Sequence, residues 1–188
     1  MMTMKETPIL TTPRLKLRPF TLDDVDRLYH WCGSFTTTQY LFWYPHRDKS
    51  VSERLLKNWL RRKRNYSWAI DDGGGAIGEI QVIKDLPDQG FEIGYILQEE
   101  SWHQGFMKEA LLAVLHFLFN EDHYLYSYEE TDARNLASRH LLESVGYEFL
   151  GLKENVFISK KNETITLAQY RLKKEGLSSL LISADISK

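Results

Sequence analysis

A chain of 188 residues with a formal net charge of −2 has no global field to draw it onto nucleic acid or an anionic membrane. Its 43% apolar and 27% charged content suits one globular domain long enough to bury a core, and no run nears the roughly 20 apolar residues that cross a bilayer. One cysteine, Cys32, excludes an internal disulfide and fits a reducing compartment; the N-terminus lacks the basic start and apolar block of a signal peptide, so a cytoplasmic location is expected.

Arg14 to Arg18 alternates Arg-Leu-Lys-Leu-Arg, the period of a half-buried strand, and Pro19 ends it. Thr21 and Asp24 have the spacing of a capping box, which predicts a helix to about Trp31 burying Val25, Leu28 and Tyr29. Cys32 reads as a buried thiol. Tyr40, Phe42, Trp43 and Tyr44 then put four rings into five residues. Such a run reads as a loop packed on the core, as a subunit interface that would make a homodimer, or as the wall of a substrate pocket. Ser50 and Glu53 give a second capping box, opening a helix to about Arg64 with Val51, Leu55, Leu56 and Trp59 on one side. The Arg61-Arg62-Lys63-Arg64 run at its end complements the helix dipole, and no second basic cluster supports a nucleic-acid surface.

Tyr66–Ile70 and Ala76–Ile83 read as a hairpin about the Asp71–Gly75 turn. The Gly73-Gly74-Gly75 run lacks the spacing of a dinucleotide fingerprint and opens a strand, not a helix. A loop is expected from Lys84 to Gly90, then a strand from Phe91 to Leu97, an acidic connector, and a long apolar helix entered through Gly105 and running to about Phe119. In that helix Glu109, Ala113, His116 and Asn120 recur at helical spacing, so one edge should lie near solvent. Tyr124–Tyr128 is the next strand. A helix follows Asp132 and stops at Gly146, a natural left-handed cap, and Tyr147–Ile158 and Thr164–Arg171 make a last hairpin. The tail from Lys173 is weakly patterned.

The chemistry concentrates at Gly105. A glycine at a helix entrance lets backbone N–H groups come close to a ligand, and unpaired first-turn amides with the positive end of the dipole favour an anion, typically phosphate. No metal spacing appears among the six histidines, and no Cys–His nucleophile pair is evident.

Three blocks in this order resemble the GCN5-related N-acetyltransferase (GNAT) superfamily, and within it the RimJ/RimL branch. They are Thr12-Pro-Arg-Leu-Lys-Leu-Arg-Pro-Phe20; Glu92-Ile-Gly-Tyr95 followed by Trp102-His-Gln-Gly105; and Asn135-Leu-Ala-Ser138 with Leu142, Glu143 and Gly146-Tyr147. In the second block Trp102 stands where the superfamily usually has Gln or Arg, and Met107 where it has a small residue. The resemblance spans residues 12–172, leaving 1–11 as an N-terminal extension and 173–188 as a C-terminal tail. It implies a single α/β (α+β) domain, with a central mixed, mostly antiparallel sheet of about seven strands flanked by about four helices.

The resemblance also implies acetyl-CoA as co-substrate and a primary amine, on a small molecule or a protein N-terminus, as acceptor by direct attack, with no metal. Backbone groups at Leu97, Gln98 and Glu99 would hold the pantetheine arm, and amides from Gln104, Gly105, Phe106, Met107, Lys108 and Glu109 the pyrophosphate. Asn135 and Ser138 would lie by the CoA sulfur, with Ser138 donating to the leaving thiolate. Glu92 would act as general base, directly or through water, with Glu79 as rival. Tyr147 reads as a core aromatic. A CoA-binding or sensing module without turnover is the alternative function.

Overall fold

The alternating segments become strands of one sheet in the computed structural model, which describes residues 6–62 and 65–177. In chain order they are β1 (Leu10–Thr11), β2 (Lys16–Pro19), β3 (Ser67–Asp71), β4 (Ala76–Leu86), β5 (Gly90–Leu97), β6 (Tyr126–Asp132), β7 (Glu148–Ile158) and β8 (Glu163–Lys173). The helices are α1 (Val25–Cys32), α2 (Phe35–Thr38), α3 (Lys49–Arg62), α4 (Phe106–Asn120) and α5 (Leu136–Ser144). The eight strands lie in the order β1-β2-β3-β4-β5-β6-β8-β7. Every neighbouring pair is antiparallel except β5 and β6, which run parallel.

Period-two alternation sorts the apolar residues onto two faces. On one, Trp68, Ile70, Ile80, Phe91 and Leu97 pack against Leu111, Val114, Leu115 and Leu118 of α4. On the other, their strand neighbours Ala69 and Ile96 pack with Leu28, Trp31 and Cys32 of α1 and Leu56 of α3. Ring contacts stitch the first core, with Trp68–Phe117 and Phe91–Phe119 centroids 5.9 and 5.5 Å apart. His116 and Asn120 of α4 are exposed, the solvent edge expected from their spacing.

Several boundaries differ from the sequence reading. The eighth strand is the pair Leu10–Thr11, which aligns with Leu17 and Lys16 and lies in the stretch read as an extension. The expected Lys84–Gly90 loop is mostly strand: β4 continues past a bulge at Val82/Lys84, and Leu86 pairs with Gly90. Polarity suggested a loop, but an exposed strand end tolerates Lys and Asp, and the reversal is carried by Asp88 and Gln89 at φ 53° and 58°. α3 is capped by Asp48, whose Oδ1 accepts the Ser50 N–H at 3.0 Å, while Glu53 pairs with Lys57 along the helix. An acidic cap two residues upstream thus displaces the Ser50–Glu53 box. The Thr21–Asp24 box is present, with the Thr21 N–H donating to the Asp24 carboxylate at 2.8 Å. It opens a short 3₁₀ turn ahead of α1, and Tyr29 is half-buried rather than core. β6 starts at Tyr126, because Tyr124 turns inward against Phe91 at 4.9 Å. Lys63 and Arg64 of the basic run and residues 178–188 of the tail lie outside the described residues.

The core reading predicts that Leu115→Ala, at a fully buried α4 position, costs roughly 2–5 kcal/mol, while His116→Ala on the exposed edge stays within about 0.5 kcal/mol, both read from urea denaturation.

Candidate active site

The strands β5 and β6 pair only at Gly90↔Tyr126 and Phe91↔Ser127 and then part. The Ile93 N–H, left without a β6 carbonyl, donates instead to Oε1 of Glu129 at 3.0 Å. Ser127 Oγ donates to the same oxygen at 2.7 Å, and the Tyr147 hydroxyl to Ser127 Oγ at 2.8 Å. Burial, partly offset by these hydrogen bonds, pushes the Glu129 carboxyl well above the usual range. Tyr147 is a buried core residue, as expected.

Strand alternation turns the amides of Tyr95 and Leu97 to the same open edge as Ile93. The Gln98 N–H points the other way and donates to the Ile77 carbonyl at 2.9 Å. The Leu97 carbonyl accepts the Trp102 indole N–H at 2.8 Å, and the Glu99 carbonyl accepts the Trp102 backbone N–H at 3.1 Å. Of the three residues expected to offer backbone along this edge, Leu97 keeps a free amide there. Tyr95, which sequence reasoning passed over, joins it.

At the α4 entrance Gly105 adopts φ +79°, a conformation an L side chain rarely takes. The first helical bond runs from the Glu109 N–H to the Gly105 carbonyl at 3.1 Å, so the amides of Phe106, Met107 and Lys108 precede it. Met107 packs its side chain against the main core, leaving its bulk away from the exposed Gln104, Gly105 and Lys108. Arg14 adds a cation here that the sequence did not flag. Its Nη1 donates to the Gln104 carbonyl at 2.9 Å, its Nε to Glu109 Oε2 at 2.7 Å, and its guanidinium lies 4.5 Å from the Phe106 ring centre. Burial opposes charge on Glu109, but hydrogen bonds from Thr12 and Arg14 leave its carboxyl below the ordinary value. Nothing local links residue 14 to a loop 90 positions away; only the sheet brings them together.

Between the parted strands and α5 lies a cavity of about 610 Å³. Tyr40, Leu41, Phe42 and Trp43 line it, so the aromatic run serves as a pocket wall, and Leu41 and Trp43 also pack on the second core. Asn135 caps α5 by accepting the Ser138 N–H at 3.1 Å, and Ser138 Oγ sits 2.8 Å from the Tyr95 hydroxyl. Burial raises the Tyr95 hydroxyl, with Ser138 opposing. Both residues face the cavity, as does Glu92, whose carboxylate is 2.6 Å from Lys84 Nζ. Glu79 faces it too, only 6% exposed, and burial pushes its carboxyl up to about 8.

A family model for the GNAT acetyltransferase domain matches residues 14–148. The chain belongs to the GNAT acetyltransferase family, and it is an acetyltransferase. It is 22% identical over 154 residues to the uncharacterized N-acetyltransferase YnaD of Bacillus subtilis, covering 82% of this chain and 90% of the relative. The GNAT-family acetyltransferase of Bacillus anthracis shares the fold at a TM-score of 0.80 with 18% identity, over 89% of this chain and 99% of the other. So does the Vibrio cholerae spermidine N-acetyltransferase solved with CoA and spermine, at a TM-score of 0.77 and 17% identity over 88% and 99%.

The donor set fits the family's co-substrate. Unpartnered strand amides suit an extended amide-bearing arm, while the left-handed Gly105, the α4 amides and the Arg14 cation suit a pyrophosphate. Among the described residues no cluster of three or more His, Cys, Asp or Glu could hold a metal, and no helix is long and apolar enough to cross a membrane.

Glu79 also shapes stability. Its folded value near 8 lies above the ordinary 4.5, so the folded state holds a proton that the unfolded chain releases, and stability falls as pH rises from about 4.5 to 8. Glu79→Gln removes that decline. Thermal melts across this range should show the variant gaining on the wild type as pH rises, with Glu129 acting equally in both.

Proposed function

We propose that this protein is a cytoplasmic, RimJ/RimL-like acetyl-CoA-dependent N-acetyltransferase that modifies a primary amine, on a small molecule or a peptide N-terminus, by direct attack. The observation that carries this is the continuous path from the α4 entrance, along the open β5 edge, into a cavity holding both hydroxyl and carboxyl groups. Acetyl-CoA supplies the activated thioester. The amides at Gln104, Gly105, Phe106, Met107, Lys108 and Glu109 and the Arg14 cation hold its pyrophosphate, and Leu97 and Tyr95 offer backbone to its arm. Gln98 and Glu99 shape the turn between the two. The RimJ/RimL placement is supported by the three sequence blocks.

Asn135 fixes the first turn of α5 and so the place of Ser138. Ser138, hydrogen-bonded to Tyr95, donates to the departing thiolate. The amine must lose its positive charge before attack, and a cavity carboxyl is the available acceptor. Glu92, already engaged by Lys84, and Glu79, the more buried, both face that space. Direct attack is supported by the buried Cys32, whose thiol is pushed up by burial and finds no histidine side-chain partner among the described residues.

A thiol-release screen with acetyl-CoA against small amines and N-terminal peptides tests the reading. Turnover with at least one acceptor is expected; tight CoA binding by calorimetry with no release from a broad panel would instead favour a sensing module. Ser138→Ala is expected to lower kcat by roughly 10²-fold with acetyl-CoA affinity little changed. Unchanged turnover would leave Ser138 only a helix residue.

A further inference from the structure

Four carboxyl side chains line the cavity, and three are occupied. Glu92 lies 2.6 Å from Lys84 Nζ. Glu130 accepts hydrogen bonds from Gln169 and Tyr128 and lies 3.3 Å from Lys153 Nζ. Glu129 spends Oε1 on the Ile93 N–H and the Ser127 hydroxyl. Glu79 is left. Its Oε2 is buried with no donor in reach, and its Oε1 meets only the Gln81 amide at 3.4 Å. Native interiors leave few carboxyl oxygens in that state, and an entering ammonium supplies the missing donors.

The surroundings restrict what carries that ammonium. Tyr40, Phe42, Trp43, Ile83 and Phe157 give the cavity apolar and aromatic walls, which suit an apolar body and favour a cation over their ring faces. Glu129, the other lining carboxyl without a lysine partner, already holds two donors on Oε1 and is a poorer seat for a second charge. Lys160, exposed on the β7–β8 turn and also lining the cavity, has no ion pair among the described residues and repels another cation.

Resting on the acetyl-transfer reading, we propose that the acceptor is a single primary ammonium borne on an apolar aliphatic or aromatic body, and that Glu79 receives it and takes the proton that frees its nitrogen to attack. The nitrogen lone pair forms the bond to the thioester carbonyl carbon, the carbon–sulfur bond breaks, and its electron pair leaves on sulfur. One ammonium proton goes to Glu79 and on to solvent. A second leaves the new amide nitrogen as the thiolate gains a proton through Ser138, so an ammonium and a thioester become an amide, a thiol and one free proton.

The groups facing Glu79 are Cys32 from α1, Gln81 on its own strand, and, across the cavity, Tyr40, Tyr95, Glu92 with its Lys84, Glu129, Glu130 and Lys160. None of them donates a charged hydrogen bond to it. The accepting form is the carboxylate, so kcat/KM should rise with pH through about 8 as Glu79 loses its proton. The acceptor's own titration, near 10 for an alkyl amine, remains as a separate limb.

The test compares benzylamine and hexylamine with 1,3-diaminopropane and spermidine by thiol release, in the wild type and in Glu79→Gln. Calorimetry reports CoA affinity, and infrared difference spectra follow the protonated carboxyl band with pH. Expected are kcat/KM values for the monoamines at least about 10-fold above those for the polyamines. Glu79→Gln should lose roughly 10²-fold in kcat together with the limb near 8, keep its CoA affinity, and lack a carboxyl band titrating near 8. A wild-type preference for the polyamines, which needs no variant to read, overturns the proposal. So does a limb that persists in Glu79→Gln but disappears in Glu92→Gln. A wild type that neither binds CoA nor releases thiol with any acceptor overturns the acetyl-transfer reading itself, an outcome distinct from either of those.

Discussion

Two parallel strands that share only two residue pairs leave a row of backbone groups without a strand partner, and the rest of this structure answers that opening. Where β5 leaves β6, the Ile93 amide is satisfied by a buried carboxyl, Glu129, which is held in turn by Ser127 and Tyr147. A buried amide needs a partner, and a side-chain acceptor lets the strands separate without leaving this one bare. Beyond it the edge amides of Tyr95 and Leu97 face the opening. Because β5 and β6 are parallel, the chain must cross over between them, and α4 makes that crossing. The helix entrance, with its unpaired amides, therefore lies at the end of the open strand edge. The unpaired helix amides and the open strand edge are adjacent for a topological reason.

The charges around this opening are arranged unevenly. At the α4 entrance Glu109 is tied to Thr12 and Arg14, so the turn between β1 and β2 braces the loop and brings a cation to it. Inside the cavity Glu92 and Glu130 have lysine partners, whereas Glu79 has none. Burying a carboxyl without a partner disfavours its charged form and costs stability as pH rises. Groups with such shifted values, lying in a cleft beside hydroxyls, are what proton-transfer chemistry requires. The same side chain thus weakens the fold at alkaline pH and equips the site.

Local rules made most elements legible. The Arg14–Arg18 alternation, the Thr21–Asp24 box, the glycine-opened α4 and the Gly146 stop all depend on contacts within a few residues; each is present, the strand as Lys16–Pro19, with Arg14 and Leu15 in the turn before it. Misreadings arose where a distant partner decided. Lys84 to Leu86 looks like loop by polarity and is strand because β5 pairs with it. The Tyr40–Tyr44 run read as core, interface or wall; Leu41 and Trp43 pack on the second core, and the cavity between β5, β6 and α5 makes Tyr40 to Trp43 wall as well. Met107 departs from its family's small residue, yet helical geometry turns its side chain to the core and leaves its amide at the entrance.

From the sequence alone came most strands and helices, the glycine-opened entrance of α4, and, through three ordered motifs, the GNAT family. Those follow from periodicity, glycine stereochemistry and short-range capping, which a chain carries in its local order. The tertiary structure decided which carboxyls are spent and which is free, placed Arg14 at a loop far from it in sequence, and set the Tyr95 hydroxyl against Ser138. Pairing, desolvation and hydrogen bonding among residues tens of positions apart depend on packing, which no spacing encodes. The Gly105 entrance was readable as a glycine-opened helix start suited to phosphate; that it lies near a cavity where one carboxyl oxygen, Glu79 Oε2, is buried without a donor was not.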